Sequence, residues 1–174
     1  MVGTDRASLA LPIGCPTAFP RPLVGWCTTP AIADGPGRWE KTVAWFRAAP
    51  GCLMEPWAGS VVGSTERVRA MLDAVPGLQL LVDTGHVADW GGDPLDLLPF
   101  ARHVQLRQGA PGSTQLHVDD PHGVVDFAAV TGRLQSLGYA GVCSVEYFDL
   151  PAQGWPLADP RAWALDLAAR LRSA

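Results

Sequence analysis

Acidic and amide side chains stand at the ends of four short apolar runs in this sequence. Glu55, Asp83 and Glu146 are carboxylates and Gln105 is an amide, each where a buried parallel strand would normally carry Val or Ile. In a closed parallel barrel, functional groups lie where the strands pass into the following loops. The recurrence therefore predicts one shared site for chemistry at this rim, rather than four unrelated polar strand ends.

Alternation along one of these runs gives a second indication. Side chains two residues apart point to the same face of a strand, so His103 and Arg107 share the inward face with Gln105. Val104 and Leu106 then point outward, towards the helices. We therefore expect a polar interior at this end of the sheet.

Helix-like segments alternate with short apolar runs from about Arg38 onward, which is typical of βα units that build a parallel sheet. The predicted helices cover Arg38–Ala48, a segment capped by Ser64 or Thr65 that runs to Val75, a segment opened by Asp93 and Pro94, Asp126–Leu137, and a final segment opened by Asp159 and Pro160. The predicted strands are Gly51–Glu55, Leu78–Asp83, Arg102–Arg107 and Gly141–Glu146, with Ser8–Ile13 and Leu23–Thr28 as further candidates and Gln108–Gly123 as a long loop.

Composition excludes several classes of protein. The chain has 174 residues, of which 48% are hydrophobic and 17% charged, as in a globular domain. The net charge of −4 and the lack of a basic run argue against a nucleic-acid partner. The four cysteines form no C-x-x-C pair that would indicate a zinc knuckle or a redox dithiol. With no signal peptide and no membrane segment in the sequence, we expect a cytoplasmic protein.

Several motifs occur in a characteristic order between about Trp39 and Tyr147. They are Leu53–Pro56 with Gly59 and Ser60, Leu80–His86, Arg102–Leu106, Gly123–Phe127, Leu137–Gly141 and Ser144–Tyr147. In this order the motifs resemble the xylose-isomerase-like barrel superfamily, which comprises sugar isomerases and epimerases and also includes the apurinic endonucleases. The pattern His103-Val104-Gln105, with a glutamine at the ligand position, resembles that of the hydroxypyruvate-isomerase branch of this superfamily.

The resemblance implies a metal site. The four metal-ligand positions of the superfamily correspond to Glu55, Asp83, Gln105 and Glu146 of this chain. His86 corresponds to a position that contacts a substrate oxygen. Three carboxylates and an amide offer only oxygen ligands, which suits Mg²⁺ or Mn²⁺ better than Zn²⁺.

The chemistry implied is proton transfer beside a carbonyl group, through an ene-diolate. By resemblance to the related enzymes, Glu55 and Glu146 of this chain would act as base and acid, in an order that depends on the substrate. The expected partner is a small sugar or hydroxy-carbonyl compound. The expected substrate contacts are His86, His103, Arg107, Trp57 and Tyr147.

The segment after Gln105 differs from that of the related isomerases in two ways. The related isomerases carry an arginine several residues beyond the ligand, whereas Gln108–Thr114 has none, which leaves the anchoring of an acidic substrate open. Asp120 and His122 resemble a pair that binds an additional zinc in the endonucleases. A loop Asp and His before Gly123 are more often a solvated turn.

Length is the larger departure. An eight-unit barrel needs about 250 residues, so we expect a TIM-barrel-like parallel sheet that is shortened and lacks its first strands. The chain is expected to form one domain over 1–174, with an irregular segment 1–37 and βα units over 38–174. The open sheet could be completed by very short early units or by a homodimer, or the sequence could be part of a longer protein.

Three functions are compatible with these features. The first is a metal-dependent isomerase or epimerase. The second is a non-catalytic or repurposed barrel relative in a secondary-metabolite pathway. A phosphodiesterase of the apurinic-endonuclease kind is less favoured, because the chain lacks a basic face for DNA.

Overall fold

The computed structural model describes residues 6–11, 28–30 and 33–173. The strands are β1 Arg6–Leu11, β2 Thr28–Pro30, β3 Leu53–Glu55, β4 Gln79–Asp83, β5 Ala101–Leu106, β6 Gln108–Ala110, β7 Ser113–Leu116 and β8 Cys143–Phe148. The helices are α1 Arg38–Ala48, α2 Thr65–Ala74, α3 Thr84–Asp89, α4 Phe127–Ser136 and α5 Pro160–Ser173. Most of the predicted strand Leu23–Thr28 lies outside the described residues.

One six-stranded sheet has the order β1-β8-β5-β4-β3-β2. Strands β2, β3, β4, β5 and β8 run parallel, and β1 pairs antiparallel with β8. Over the described ranges the two outer strands do not pair with each other, so the sheet is a partial TIM barrel that does not close. The prediction of an α/β fold with a shortened, TIM-barrel-like parallel sheet is confirmed.

The hydrophobic core lies between this sheet and the helices. Alternate strand residues supply it, including Leu80 and Val82 of β4, Val104 of β5 and Val145 of β8. The helices contribute buried residues to the same core, namely Phe46, Val68, Met71, Val130, Leu134 and Leu167. Because the apolar residues of each strand face the helices, the intervening residues are left to face the other side of the sheet. No helix of the described residues is long and apolar enough to cross a membrane.

Local capping signals place several helices where the sequence predicts them. The side chain of Ser64 accepts a hydrogen bond from the backbone N–H of Arg67 at the start of α2. The side chain of Asp126 accepts one from Ala129 at the start of α4. These caps satisfy backbone donors that the first turn of a helix leaves without partners.

Two local predictions are wrong, and one helix was missed. The segment opened by Asp93 and Pro94 forms two 3₁₀ turns, Pro94–Asp96 and Leu98–Phe100, because Pro99 has no N–H with which to continue a helix. The predicted loop Gln108–Gly123 contains the antiparallel hairpin of β6 and β7. The short helix α3, which starts directly after β4, was not predicted.

Candidate functional site

Strand register brings the predicted polar residues to one face of the sheet. Asp83 of β4 is paired with Gln105 of β5, which is paired in turn with Ser144 of β8. Residues paired across neighbouring strands point to the same side, and Glu146 lies two residues beyond Ser144. The carboxyl ends of these strands therefore share a polar inner face, opposite the hydrophobic core.

The tightest cluster on this face combines three residues from β3, β4 and α3. Ligand atoms of Glu55, Asp83 and His86 lie within 4.8 Å of one another, and in the described part of the chain this is the group of acidic, His or Cys side chains suited to a metal ion. The side chain of Glu55 is 12% exposed and that of Asp83 is fully buried. Glu146 stands outside this cluster. The structure thus places His86 beside two of the predicted ligands.

Both carboxylate oxygens of Asp83 are engaged by protein donors. Oδ1 accepts hydrogen bonds from the backbone N–H groups of Gly85 at 2.8 Å and His86 at 3.1 Å, so Asp83 caps α3. Oδ2 accepts from Nη2 of Arg107, whose side chain is also fully buried. The Arg107 guanidinium carbon lies 4.5 Å from the centroid of the Phe148 ring. The predicted substrate contact Arg107 is therefore enclosed beside Asp83.

His86 connects the acidic cluster to the β6–β7 hairpin. Its Nε2 is 3.8 Å from Oε1 of Glu55, and its Nδ1 is 2.8 Å from Oγ1 of Thr114. The Trp155 ring lies 6.1 Å from the imidazole, centroid to centroid. Burial lowers the pKa of His86 to about 4, opposed by the Asp83 charge and reinforced by Arg107. The imidazole is accordingly neutral at pH 7.

Gln105 and His103 line the inner face of β5. The oxygen Oε1 of Gln105 is buried and has no hydrogen-bond partner among the described residues. Because a buried polar atom normally has a partner, this oxygen suits a bound ion or ligand. His103 lies one step further from the rim, where Nε2 is 2.8 Å from Oγ of Ser144. Burial lowers the pKa of His103.

The end of β8 separates two aromatic residues onto opposite faces. Tyr147 points into the core, where its hydroxyl donates a hydrogen bond to the carbonyl oxygen of Leu116 at 2.9 Å and its ring packs against Trp163. This placement does not support the predicted contact of Tyr147 with substrate. Phe148 shares the inner face with Glu146, and its ring centroid lies 5.3 Å from that of Trp155.

The remaining candidates lie in loops. Trp57 is half-buried in the loop after β3, where its ring covers Gly59, so a side chain at position 59 would clash with the ring. In the loop after β7, Oδ1 of Asp120 accepts a hydrogen bond from the backbone N–H of exposed His122 at 2.9 Å. Asp120 and His122 thus form a polar turn.

Sequence reasoning missed the hairpin residue Thr114, which contacts His86. The available signal was the dipeptide Pro111-Gly112, because Pro-Gly marks tight turns. These two residues link Ala110 to Ser113, which are paired across the hairpin. Gly112 has a φ of 78°, a conformation that favours glycine.

The chain matches a family model, and solved structures similar to it include two sugar epimerases. The model of the xylose isomerase-like TIM barrel matches residues 37–174. A crystal structure of 3-keto-D-glucoside 4-epimerase from E. coli, in the apo form, is 17% identical with a TM-score of 0.60, covering 84% of this chain and 63% of that chain. D-allulose 3-epimerase from Methylomonas sp., in complex with D-allulose, is 17% identical with a TM-score of 0.57, covering 83% of this chain and 62% of that chain.

The identity and coverage values limit what can be transferred from the two epimerases to this chain. At 17% identity, the similarity to the two epimerases shows the fold. The chain spans less than two thirds of the length of either epimerase. No curated protein matches the sequence.

Proposed function

The chain belongs to the xylose isomerase-like TIM-barrel family, and from that premise we propose that it is a sugar isomerase or epimerase. It moves a proton at the carbon beside the carbonyl of a small sugar or hydroxy-carbonyl compound. The observation that carries this proposal is the cluster of Glu55, Asp83 and His86 at the carboxyl ends of neighbouring parallel strands. Functional groups of barrel enzymes stand at this rim.

The residues present fit a divalent cation. The side chains that would hold it are Glu55, Asp83 and His86, whose ligand atoms are grouped, and Gln105. The buried oxygen of Gln105 has no hydrogen-bond partner in the described part of the chain. Mostly oxygen donors favour Mn²⁺ or Mg²⁺ over zinc. A cation bound there would polarise the substrate carbonyl and so acidify the neighbouring C–H.

The proposed proton exchange uses two glutamates, one on each side of the expected ligand. Glu55 stands on β3 and Glu146 on β8, with β4 and β5 between them in the sheet. A ligand held above the two central strands would have one carboxylate on each side. We propose that one glutamate removes the proton and the other returns it, in an order set by the substrate.

Other side chains position rather than react in this proposal. Neutral His86 contacts a substrate oxygen or the cation, and Trp57, Trp155 and Phe148 form an apolar wall beside the site. Arg107 orients the Asp83 carboxylate from its buried position. His103 acts indirectly, through its contact with the side chain of Ser144.

A non-catalytic ligand-binding relative is the second candidate. The observation that favours it is the ion pair between Asp83 and Arg107, which already neutralises one of the predicted metal ligands inside the protein. Cation binding separates the two candidates, because the isomerase proposal requires a bound ion at this carboxylate. Cleavage of abasic DNA with several bound zinc ions would instead support the phosphodiesterase.

The test combines metal binding with solvent exchange. Purified protein is titrated with Mn²⁺ and Mg²⁺, then incubated in D₂O with a panel of small keto and aldehyde sugars and acids. We expect one bound cation per chain and deuterium at the carbon beside the carbonyl of at least one compound. Asp83→Asn should lose the cation and Glu146→Gln the exchange. Asp73→Asn and Glu40→Gln, at exposed helix positions, serve as matched controls. Absence of both signals from the wild-type protein would leave the non-catalytic candidate.

Three further expectations accompany this proposal. They are that residues 1–174 form one domain, that the sheet is completed by short early units, by a second copy or by further residues of a longer protein, and that the protein acts in the cytoplasm. A small-molecule substrate is the expected partner, in line with the D-allulose bound to one of the similar structures.

A further inference from the structure

The imidazole of His86 has two different neighbours, one on each side. On the Nε2 side, Oε1 of Glu55 is 3.8 Å away, which is too long for a hydrogen bond. On the Nδ1 side, the hydroxyl oxygen of Thr114 is 2.8 Å away, which is an ordinary hydrogen-bond distance. Thr114 and His86 are both buried, at 2% and 7% exposure, so bulk water does not compete for this contact.

A neutral imidazole carries one hydrogen, and the two nitrogens have different roles. If Nδ1 carries the hydrogen, that hydrogen reaches the Thr114 oxygen, and the lone pair of Nε2 faces Glu55. If Nε2 carries the hydrogen, that hydrogen finds no acceptor within bonding distance at Glu55. The first arrangement thus gives the imidazole hydrogen an acceptor at bonding distance, whereas the second leaves it without one at Glu55.

The position of Thr114 is fixed by close packing of the hairpin against the start of α3. A Cβ at Gly85 would lie 2.2 Å from the backbone oxygen of Thr114, so the two backbones approach as closely as glycine allows. A Cβ at Gly109 would lie 3.0 Å from Cα of Gly85. The hairpin strand that carries Thr114 is therefore seated directly on the helix that carries His86.

The far side of the hairpin is attached to β8. The side-chain amide of Gln115 donates a hydrogen bond to the carbonyl oxygen of Phe148 at 3.0 Å. The Tyr147 hydroxyl donates to the carbonyl of Leu116. The backbone of this hairpin strand is thus held at the two residues that follow Thr114.

We propose that Thr114 is a positioning residue that accepts the Nδ1 hydrogen of His86 and so keeps the Nε2 lone pair directed at the Glu55 and Asp83 side of the site. Thr114 acts through His86 and touches neither substrate nor cation. The inference rests on the proposed function only for what Nε2 then binds. The choice of tautomer itself is a property of the free protein.

The direct test is the tautomer of His86 by ¹⁵N NMR at pH 8 in metal-free protein. The wild-type spectrum should show hydrogen on Nδ1 of His86. Thr114→Val, which keeps the shape but removes the hydroxyl, should shift the population towards hydrogen on Nε2, and Thr114→Ser should restore the wild-type signal. Thr131→Val in α4, where the hydroxyl donates to the helix carbonyls of Phe127 and Ala128, is the matched control.

Binding of Mn²⁺ by calorimetry supplies a second measurement. We expect Thr114→Val to weaken the affinity by about 10- to 100-fold and Thr114→Ser to retain it. A wild-type spectrum with hydrogen on Nε2, or an unchanged tautomer in a folded Thr114→Val protein, would overturn the inference. If Thr114→Val does not fold, the wild-type and Thr114→Ser spectra still decide it. A wild-type protein that binds no cation but has the expected tautomer contradicts the proposed cation and leaves the role of Thr114 intact.

Discussion

Asp83 shows how one side chain can have a local and a functional role at once. One oxygen of its carboxylate caps α3 through two backbone N–H groups, and the other accepts from buried Arg107. Each buried charge of this pair depends on the other, because an ionised group without a partner is costly in the interior of a protein. The geometry of the proposed cation site therefore depends on a guanidinium that is fully enclosed.

We expect Arg107→Met to destabilise the protein by about 3–5 kcal/mol, since it leaves the buried Asp83 carboxylate without its counter-charge. Urea unfolding measures the change. Arg69→Met is the matched control, because the pair of Arg69 with Asp96 is 3.6 Å long and about half exposed. The control should cost no more than about 1 kcal/mol. Equal losses in the two variants would contradict the structural role assigned to Arg107.

At the scale of elements, the contact between α3 and the β6–β7 hairpin organises the site. The helix begins at the residue after β4 ends, and the hairpin begins two residues after β5 ends. Thr84 ties the two together, since its hydroxyl donates to the carbonyl oxygen of Arg107 at 2.7 Å and accepts from the Arg107 N–H at 2.9 Å. These short elements hold His86 and Thr114 against each other.

Gly85→Ala should destabilise the protein by about 1–3 kcal/mol, because the added methyl group would overlap the backbone of the hairpin at Thr114. Thermal or urea unfolding measures the loss. Gly132→Ala is the control, since a Cβ there meets no atom within 4 Å and the residue lies inside α4. Alanine in that helix should stabilise the protein by about 0.5–1 kcal/mol. A neutral Gly85→Ala variant would mean that the hairpin is free to move away.

The sequence predicted elements whose signals are local, and it failed where distant residues decide the outcome. Ser64 and Asp126 mark helix starts because a cap acts within one turn. The helix α3 has only six residues, too few to show a periodic pattern. At the site, strand-end position indicated Asp83 and Gln105, which the structure pairs. No local pattern links Thr114 to His86, because their contact depends on how the hairpin packs.

At the scale of the whole molecule, the sheet has two different edges. One edge is β2, which pairs with β3 over three residues, and the other is β1. The parallel order of β3, β4, β5 and β8 follows from the βα alternation in the sequence. The antiparallel addition of β1 joins the first described residues to the last strand, and such long-range pairing leaves no pattern in either segment.

Sedimentation equilibrium over a range of protein concentrations distinguishes the two ways of completing this sheet. A second copy that covers an open edge predicts a dimer of about twice 18.5 kDa. Completion within one chain predicts a monomer at all concentrations. Open strand edges offer unpaired N–H and C=O groups to other chains, so we expect at least weak self-association if no segment of the chain covers them. A strictly monomeric protein would contradict the homodimer.

The antiparallel pairing of β1 has a consequence for how the protein can be produced and handled. Arg6–Leu11 covers the outer edge of β8, with Ser8 opposite Glu146. Proteolysis or a truncation that removes β1 would make β8, the strand that carries Glu146, an exposed edge strand able to pair with other chains. Protein shortened in that way is expected to aggregate, so a loss of activity in it would not test the proposed chemistry.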